Sequence, residues 1–402
     1  MIAIFDAVES AVRSYCRTWP VVFDRAEGSW ITDESGNRYL DFFAGAGGVN
    51  YGHNNPLLKD GLLDYITDNR VVHSLDMSTS AKRALLEALT RYLLGPRGLD
   101  YRVQFTAPTG AATVESALEL ARKFTGRHLV LGFENSFHGM SLGAMTVSDN
   151  PISRSAHGAS PARQGQVPLV HGELDGLAEV FAEKRPAAVI VETVQGEGGV
   201  NVGPAEWLRG LSALCREHGV LLIVDDVQVG CGRTGPFFSF ESADGVVPDI
   251  VCLSKSIGGY GLPLALTLIR PDLDVWSPGE HSGTFRGNNL AFVTAAKALE
   301  TYWADETLEK DTLAKGDLVR ERLAELTAGT PWGVRGAGLI NGLEFPTGEQ
   351  ARAVCTAAFE RGLLVETAGR HGQVVKLMPP LTTTVDELEQ GLDLLAASCT
   401  AA

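Results

Sequence analysis

The feature that most constrains the fold of this 402-residue chain is a series of six short, largely apolar runs at residues 103–105, 129–133, 187–191, 220–224, 250–253 and 264–269. Each has the length of a strand and not of a buried helix. Helical stretches separate most of them: Val114, Ala117, Leu118, Ala121 and Phe124 mark one helix face, and 204–218 carries Pro204 at its start and Gly219 just past its end. Such alternation predicts an α/β chain built on a mostly parallel, doubly wound sheet.

The flanks read differently. Ile4, Phe5, Val8, Val12 and Tyr15 recur at helical spacing, predicting an amphipathic leading helix suited to packing on a partner subunit. A hairpin follows at 30–40, turning at 33–37, and then a Gly-rich loop at 45–56. Beyond residue 295 come charged helices (295–303, 307–326), short strands near 338–344 and 374–377, and a last helix from Asp386. The expected division is a large domain over 46–294 and a smaller α+β domain formed by 295–402, with the helix and hairpin of 1–45 belonging to it.

A net charge of −15 disfavours nucleic-acid and anionic-lipid partners. The longest aliphatic run, 220–224, is too short to span a bilayer, and Asp6 interrupts the start before a signal-type stretch forms. The six cysteines form no CxxC pair and have no nearby His for a zinc set, so no metal site is expected. A soluble, untargeted cytoplasmic protein with reduced thiols is the expectation.

Ligand sites in such sheets lie at the carboxyl ends of the strands. Run 220–224 ends in Asp225-Asp226 with Gln228 close behind, run 250–253 ends in Ser254-Lys255, and run 103–105 leads through Thr109 to the helix start Gly110-Ala111-Ala112. A bland ion pair is one reading of the acid and the lysine. The other is pyridoxal 5'-phosphate (PLP), which needs a lysine for a Schiff base, a carboxylate for the pyridine nitrogen and a helix N-terminus for the phosphate. Gln228 could donate to the ring oxygen, and Phe137, followed by His138, could stack on the ring. Two motifs compete. Gly139-Met140-Ser141-Leu142-Gly143 matches the G-x-S-x-G of serine hydrolases, but the polar turn Glu134-Asn135-Ser136 replaces the required strand-to-serine junction. The run from Gly45 to Asn50 fails the dinucleotide pattern at its last position.

Four segments, VETVQGEGG (191–199), LLIVDDVQVGCGRTGPFFSFE (221–241), LSKSIGGYGLPLAL (253–266) and HSGTFRGNNLAF (281–292), together resemble the class III (ω-) aminotransferases of the PLP-dependent fold type I superfamily. With FFAGAG before NYGHNNP, the wording is most similar to the diaminobutyrate-forming branch of that class. The resemblance implies a fold type I architecture and PLP as cofactor. It further implies a reaction in which L-glutamate aminates L-aspartate semialdehyde to L-2,4-diaminobutyrate. It casts Lys255 as Schiff-base lysine and proton carrier, Asp225 on the pyridine nitrogen, Gln228 on the ring oxygen, and Phe137 on the ring face beside His138. Gly110 and Ala111 would hold the phosphate, and Thr284 would reach the phosphate of a neighbouring subunit's cofactor in a homodimer or larger homo-oligomer. Glu192 and Glu197 match the acids of E-x-x-Q-G-E, with Glu197 near the substrate. Two departures stand out: Lys376 and Met140 occupy positions where many class members hold carboxylates with arginine, and Ala112 replaces a usual Glu or Asn. Lysine lacks the guanidinium fork, so the grip on a carboxylate changes. The anchor for the distal carboxylate of glutamate stays unassigned, with Arg286 as a candidate. Residues Ala46, Ser78 and Met140 would shape the pocket for a rival amine such as ornithine or 4-aminobutyrate.

Overall fold

The computed structural model describes residues 3–149 and 169–400. All six expected runs contribute strands to one sheet: Arg102–Phe105, Val130–Leu131, Ala188–Val191, Leu221–Asp225, Ile250–Leu253 and Leu266–Ile269. From one edge the order is 102–105, 266–269, 250–253, 221–225, 188–191, 130–131. The last four pair in parallel, and 266–269 runs opposite to both its neighbours.

Alternate residues of these strands feed two cores. Val189, Val191, Leu222, Val224, Val251 and Leu253 pack on one face, whereas Ala188, Ile190, Leu221, Ile223, Ile250 and Cys252 pack on the other. Helix Gly110–Thr125 closes the second core with Val114, Ala117, Leu118 and Ala121, and helix Ala205–His218 closes the first with Trp207, Leu208, Leu211 and Cys215. This two-sided burial explains runs that are apolar throughout instead of alternating. Each fully buried Val, Leu or Ile contributes about 1.5–3 kcal/mol, which offsets the ~1–2 kcal/mol cost of fixing its backbone. Gly126 (φ 67°) and Gly219 (φ 58°) end the two helices in left-handed caps.

A second, antiparallel sheet joins Gly333–Ala337, Ile340–Glu344, Val374–Leu377 and Glu366–Ala368, packed with helices Thr307–Thr327, Gly348–Glu360 and Val385–Cys399. In a third, Phe23–Glu27, Trp30–Asp33 and Arg38–Asp41 form a meander, and Leu363–Leu364 pairs in parallel with Arg38–Asp41. The beginning and the end of the chain therefore share a sheet. Arg233, fully buried, ties three segments together by donating to Leu339 O (2.9 Å), Pro379 O (2.5 Å) and Asn50 Oδ1 (2.6 Å). Burial pushes its pKa down to about 9.

The flanks correct two expectations. The leading segment is two short helices, Ala3–Val8 and Tyr15–Thr18, with Val8 and Val12 exposed. Isolated helices of this length are marginal, and among the described residues Tyr15 packs on Trp19 and Phe43 while Ile4, Val8 and Val12 stay uncovered. The Gly-rich stretch is not featureless either: Ala44 (φ 49°), Gly45 (58°), Ala46 (56°) and Gly47 (87°) form a left-handed turn before helix Pro56–Thr67. Each alanine there costs about 1–2 kcal/mol. Asp41 supports the turn, its Oδ1 accepting from Phe43 N and Ala44 N at 2.8 Å while Oδ2 lies 2.7 Å from His53 Nε2.

Candidate active site

At the carboxyl ends of the central strands lies a cavity of about 180 Å³ lined by Gly110, Ala111, Phe137, His138, Gly139, Glu192, Glu197, Asp225, Val227, Gln228 and Lys255. Nine of the thirteen sequence-predicted site residues meet there. The topology explains it: 188–191, 221–225 and 250–253 are parallel neighbours, so the residues that end them emerge side by side.

Asp225 is buried at the end of its strand, with Oδ2 2.7 Å from His138 Nδ1 and Oδ1 accepting from Val227 N. Glu192 follows the neighbouring strand and accepts the N–H of Phe137 at 3.0 Å. Burial, reinforced by Asp225, pushes its carboxyl up to about 8, so it is largely protonated at neutral pH. Lys255 opens a short 3₁₀ turn in a left-handed conformation (φ 52°), which places its Nζ 2.9 Å from Ala46 O. Burial lowers its pKa, with Glu197 opposing and Lys376 adding to the effect. Ser256 Oγ donates to Gly47 O and accepts from Asn50 N, so the lysine turn and the 44–50 segment are locked together.

Gln228 Nε2 donates to Ala46 O (3.0 Å) and Glu197 Oε1 (2.9 Å), which commits both amide hydrogens. Its Oε1 is buried without a hydrogen-bond partner. Burial alone would raise Glu197, but Lys376 and Lys255 reverse this and hold its carboxyl down. Lys376 Nζ lies 2.6 Å from Glu197 Oε1 and 3.0 Å from Glu366 Oε1. Burial opposes the charge on Lys376, yet the two carboxylates win and raise its pKa. Tyr15 sits beside this group, its hydroxyl pushed up by burial and by Glu366 and Glu197.

The other predicted positions fall outside the cavity wall. Lys376 stands behind Glu197; Ala46 contributes its carbonyl; Met140 is exposed next to the lining residue Gly139. Thr284 is exposed in a 3₁₀ turn, with its carbonyl bound to His73 Nε2. Arg286 donates from Nε to Phe105 O and from Nη1 to His281 O and lines a separate groove. Ser141 precedes helix Leu142–Val147, ten residues past its strand, and its hydroxyl has no hydrogen-bond partner; the hydrolase elbow is absent. Sequence reasoning missed Glu366 and the Asp41–His53 support, since neither lies in a motif.

The residues present fit a phosphorylated pyridine cofactor. Gly139 (φ 119°) is approached so closely that a Cβ would stand 2.7 Å from Ala111 Cβ, and one on Gly110 would stand 2.8 Å from Val227 Cγ1. These contacts pack glycine-close around the first turn of helix Gly110–Thr125, whose leading N–H groups have no intrahelical acceptor and attract an anion. Lysine, buried aspartate and anion cradle on this sheet define a fold type I PLP-dependent transferase.

Comparison narrows the class. The profile of "Aminotransferase class-III" matches residues 12–398. A diaminobutyrate–2-oxoglutarate transaminase of Nocardia farcinica is 57% identical, covering 98% of this chain and 93% of its own length. One of Streptomyces anulatus is 55% identical, covering 98% and 97%. Among solved structures, the ornithine aminotransferase of Toxoplasma gondii, which carries PLP at partial occupancy in its active site, superposes with a TM-score of 0.89 at 29% identity over 100% of this chain and 93% of its own. The chain belongs to the class-III aminotransferase family and is a PLP-dependent enzyme.

Proposed function

We propose that this chain moves an amino group from L-glutamate to the aldehyde of L-aspartate semialdehyde, giving L-2,4-diaminobutyrate and 2-oxoglutarate in two ping-pong half-reactions. Bound PLP supplies the electron sink. Lys255 carries the proton at its Nζ, and its lowered pKa favours the neutral amine a base requires. Asp225, oriented by His138, would hold the ring nitrogen; Phe137 would cover the ring; Gly110 and Ala111 would bind phosphate through their N–H groups. Gln228 would redirect one of its amide hydrogens from Ala46 O or Glu197 Oε1 to the ring oxygen, while Glu192 fixes the Phe137 backbone.

Thr284 would act across a homodimer, reaching the phosphate of the neighbouring subunit's cofactor. The six cysteines are free thiols, which suits the cytoplasm. The observation that carries the substrate assignment is the lysine–carboxylate cluster behind the cavity wall, in place of an arginine, together with relatives above half identity that act on diaminobutyrate.

The test is spectroscopic. Holoenzyme is mixed separately with L-2,4-diaminobutyrate, L-glutamate, L-ornithine and 4-aminobutyrate while the cofactor absorbance is followed. Rapid bleaching by the first two is expected; a faster response to ornithine or 4-aminobutyrate would overturn the substrate assignment and leave the reaction class intact.

A further inference from the structure

The backbone carbonyl of Ala46 serves two site residues at once. Lys255 Nζ donates to it at 2.9 Å and Gln228 Nε2 at 3.0 Å, which fills both lone pairs of the oxygen. The carbonyl belongs to the left-handed turn, where Ala44 and Ala46 stand at positive φ although neither is glycine. Backbone in this state persists only where its surroundings over-determine it, and it concentrates at working sites.

Here the surroundings can be named. Asp41 is fully buried; its Oδ1 takes the N–H groups of Phe43 and Ala44, and its Oδ2 meets His53 Nε2. The backbone of His53 is itself paired in both directions with Gly28. Beyond Ala46, Ser256 Oγ donates to Gly47 O and accepts from Asn50 N. The turn is thus clamped on both sides of the Ala46 carbonyl.

A carbonyl can orient an amine without charging it. Burial favours the neutral amine of Lys255, while Glu197, the strongest of the acids acting on it, favours the ammonium, which has no lone pair to give. An amine that donates one N–H to a fixed neutral acceptor keeps its lone pair free and its position defined.

We propose that the Ala46 carbonyl is the fixed acceptor that aims the lysine amine, and that Asp41, supported by His53, is the positioning residue that holds the carbonyl in place. The inference rests on Lys255 as the proton carrier and deepens that reading.

Two readouts test it on the wild type, Asp41→Ala and Asp41→Asn. The first needs no turnover: cofactor-free enzyme is mixed with PLP and reduced with borohydride at set times, and peptide mass spectrometry gives the fraction of Lys255 linked to the cofactor. The second is the single-turnover reaction of the holoenzyme with L-glutamate, resolved into a maximal rate and a half-saturating concentration. Asp41→Ala should slow both capture and the maximal rate by about tenfold to a hundredfold, the scale of a misplacement of about 1 Å, and leave the half-saturating concentration unchanged. Asp41→Asn, whose amide oxygen still accepts from both N–H groups, should restore both rates. Should Asp41→Ala fail to fold, His53→Ala removes only the support of Asp41, and a fall of about twofold to tenfold in both rates is expected, the worth of one hydrogen bond. A folded variant with wild-type rates, one in which the half-saturating concentration alone rises, or an Asp41→Asn as slow as Asp41→Ala overturns the inference and leaves Lys255 in its role. Capture at a lysine other than Lys255 in the wild type overturns that role and this inference together. A wild type inert to L-glutamate overturns the donor reading alone, and the capture rates then decide.

Discussion

The two ends of the cavity hold the same kind of residue in opposite states. At the Asp225 end, Glu192 is forced toward its neutral form, pushed up to about 8. At the other end Glu197, from the same E-x-x-Q-G-E segment, is held ionised by Lys376 at 2.6 Å. Burial acts on both acids in the same direction. The buried cation decides the outcome, because desolvation without an opposite charge favours the uncharged form and a close cation reverses it. One end is thus a neutral scaffold around a single aspartate, and the other a buried charged pair.

The comparison breaks most completely at the residue both ends share. Lys255→Ala should lower turnover by about a thousandfold or more, the scale of a lost acid–base group; substantial turnover in the half-reaction assay would sink its assigned role. Next in size is Lys376→Met, which strands two buried carboxylates. A stability loss of about 3–5 kcal/mol is expected in denaturant unfolding at pH 7, shrinking as the pH falls and the acids take up protons; a variant as stable as wild type would mean the cluster is solvated. The smallest effect sharpens the other end. Glu192 has its folded pKa raised above the usual carboxylate value, so between about pH 5 and 8 the native state holds the extra proton and its stability falls as pH rises. Glu192→Gln keeps an acceptor for Phe137 and should gain on the wild type by about 1 kcal/mol per pH unit across that window. Parallel stability–pH curves for the two proteins would show that Glu192 titrates normally.

The end of the cavity that faces the cofactor was legible in the sequence because its residues directly follow apolar strands. Asp225, Lys255 and Glu192 need only the inference that these strands are parallel neighbours. The charged end is set by pairings that spacing does not reveal: Glu366 faces Lys376 through an antiparallel register, and Glu197 meets Lys376 from a segment 179 residues away in sequence. The left-handed turn at 44–47 was equally invisible, since two of its four residues are alanines, which avoid that conformation unless outside contacts such as those of Asp41 impose it. Periodicity misread the leading helix, because it reports an apolar stripe without saying what covers it.

The buried Arg233 makes the chain indivisible. Its three acceptors come from the Asn50 segment, the turn before the strand Ile340–Glu344, and Pro379, two residues past Lys376's strand, so a fragment ending before residue 339 would enclose a guanidinium with most of its acceptors gone. The two halves of the enzyme therefore cannot be separated as independent modules, and a nascent chain cannot finish its interior until its last quarter has been synthesised.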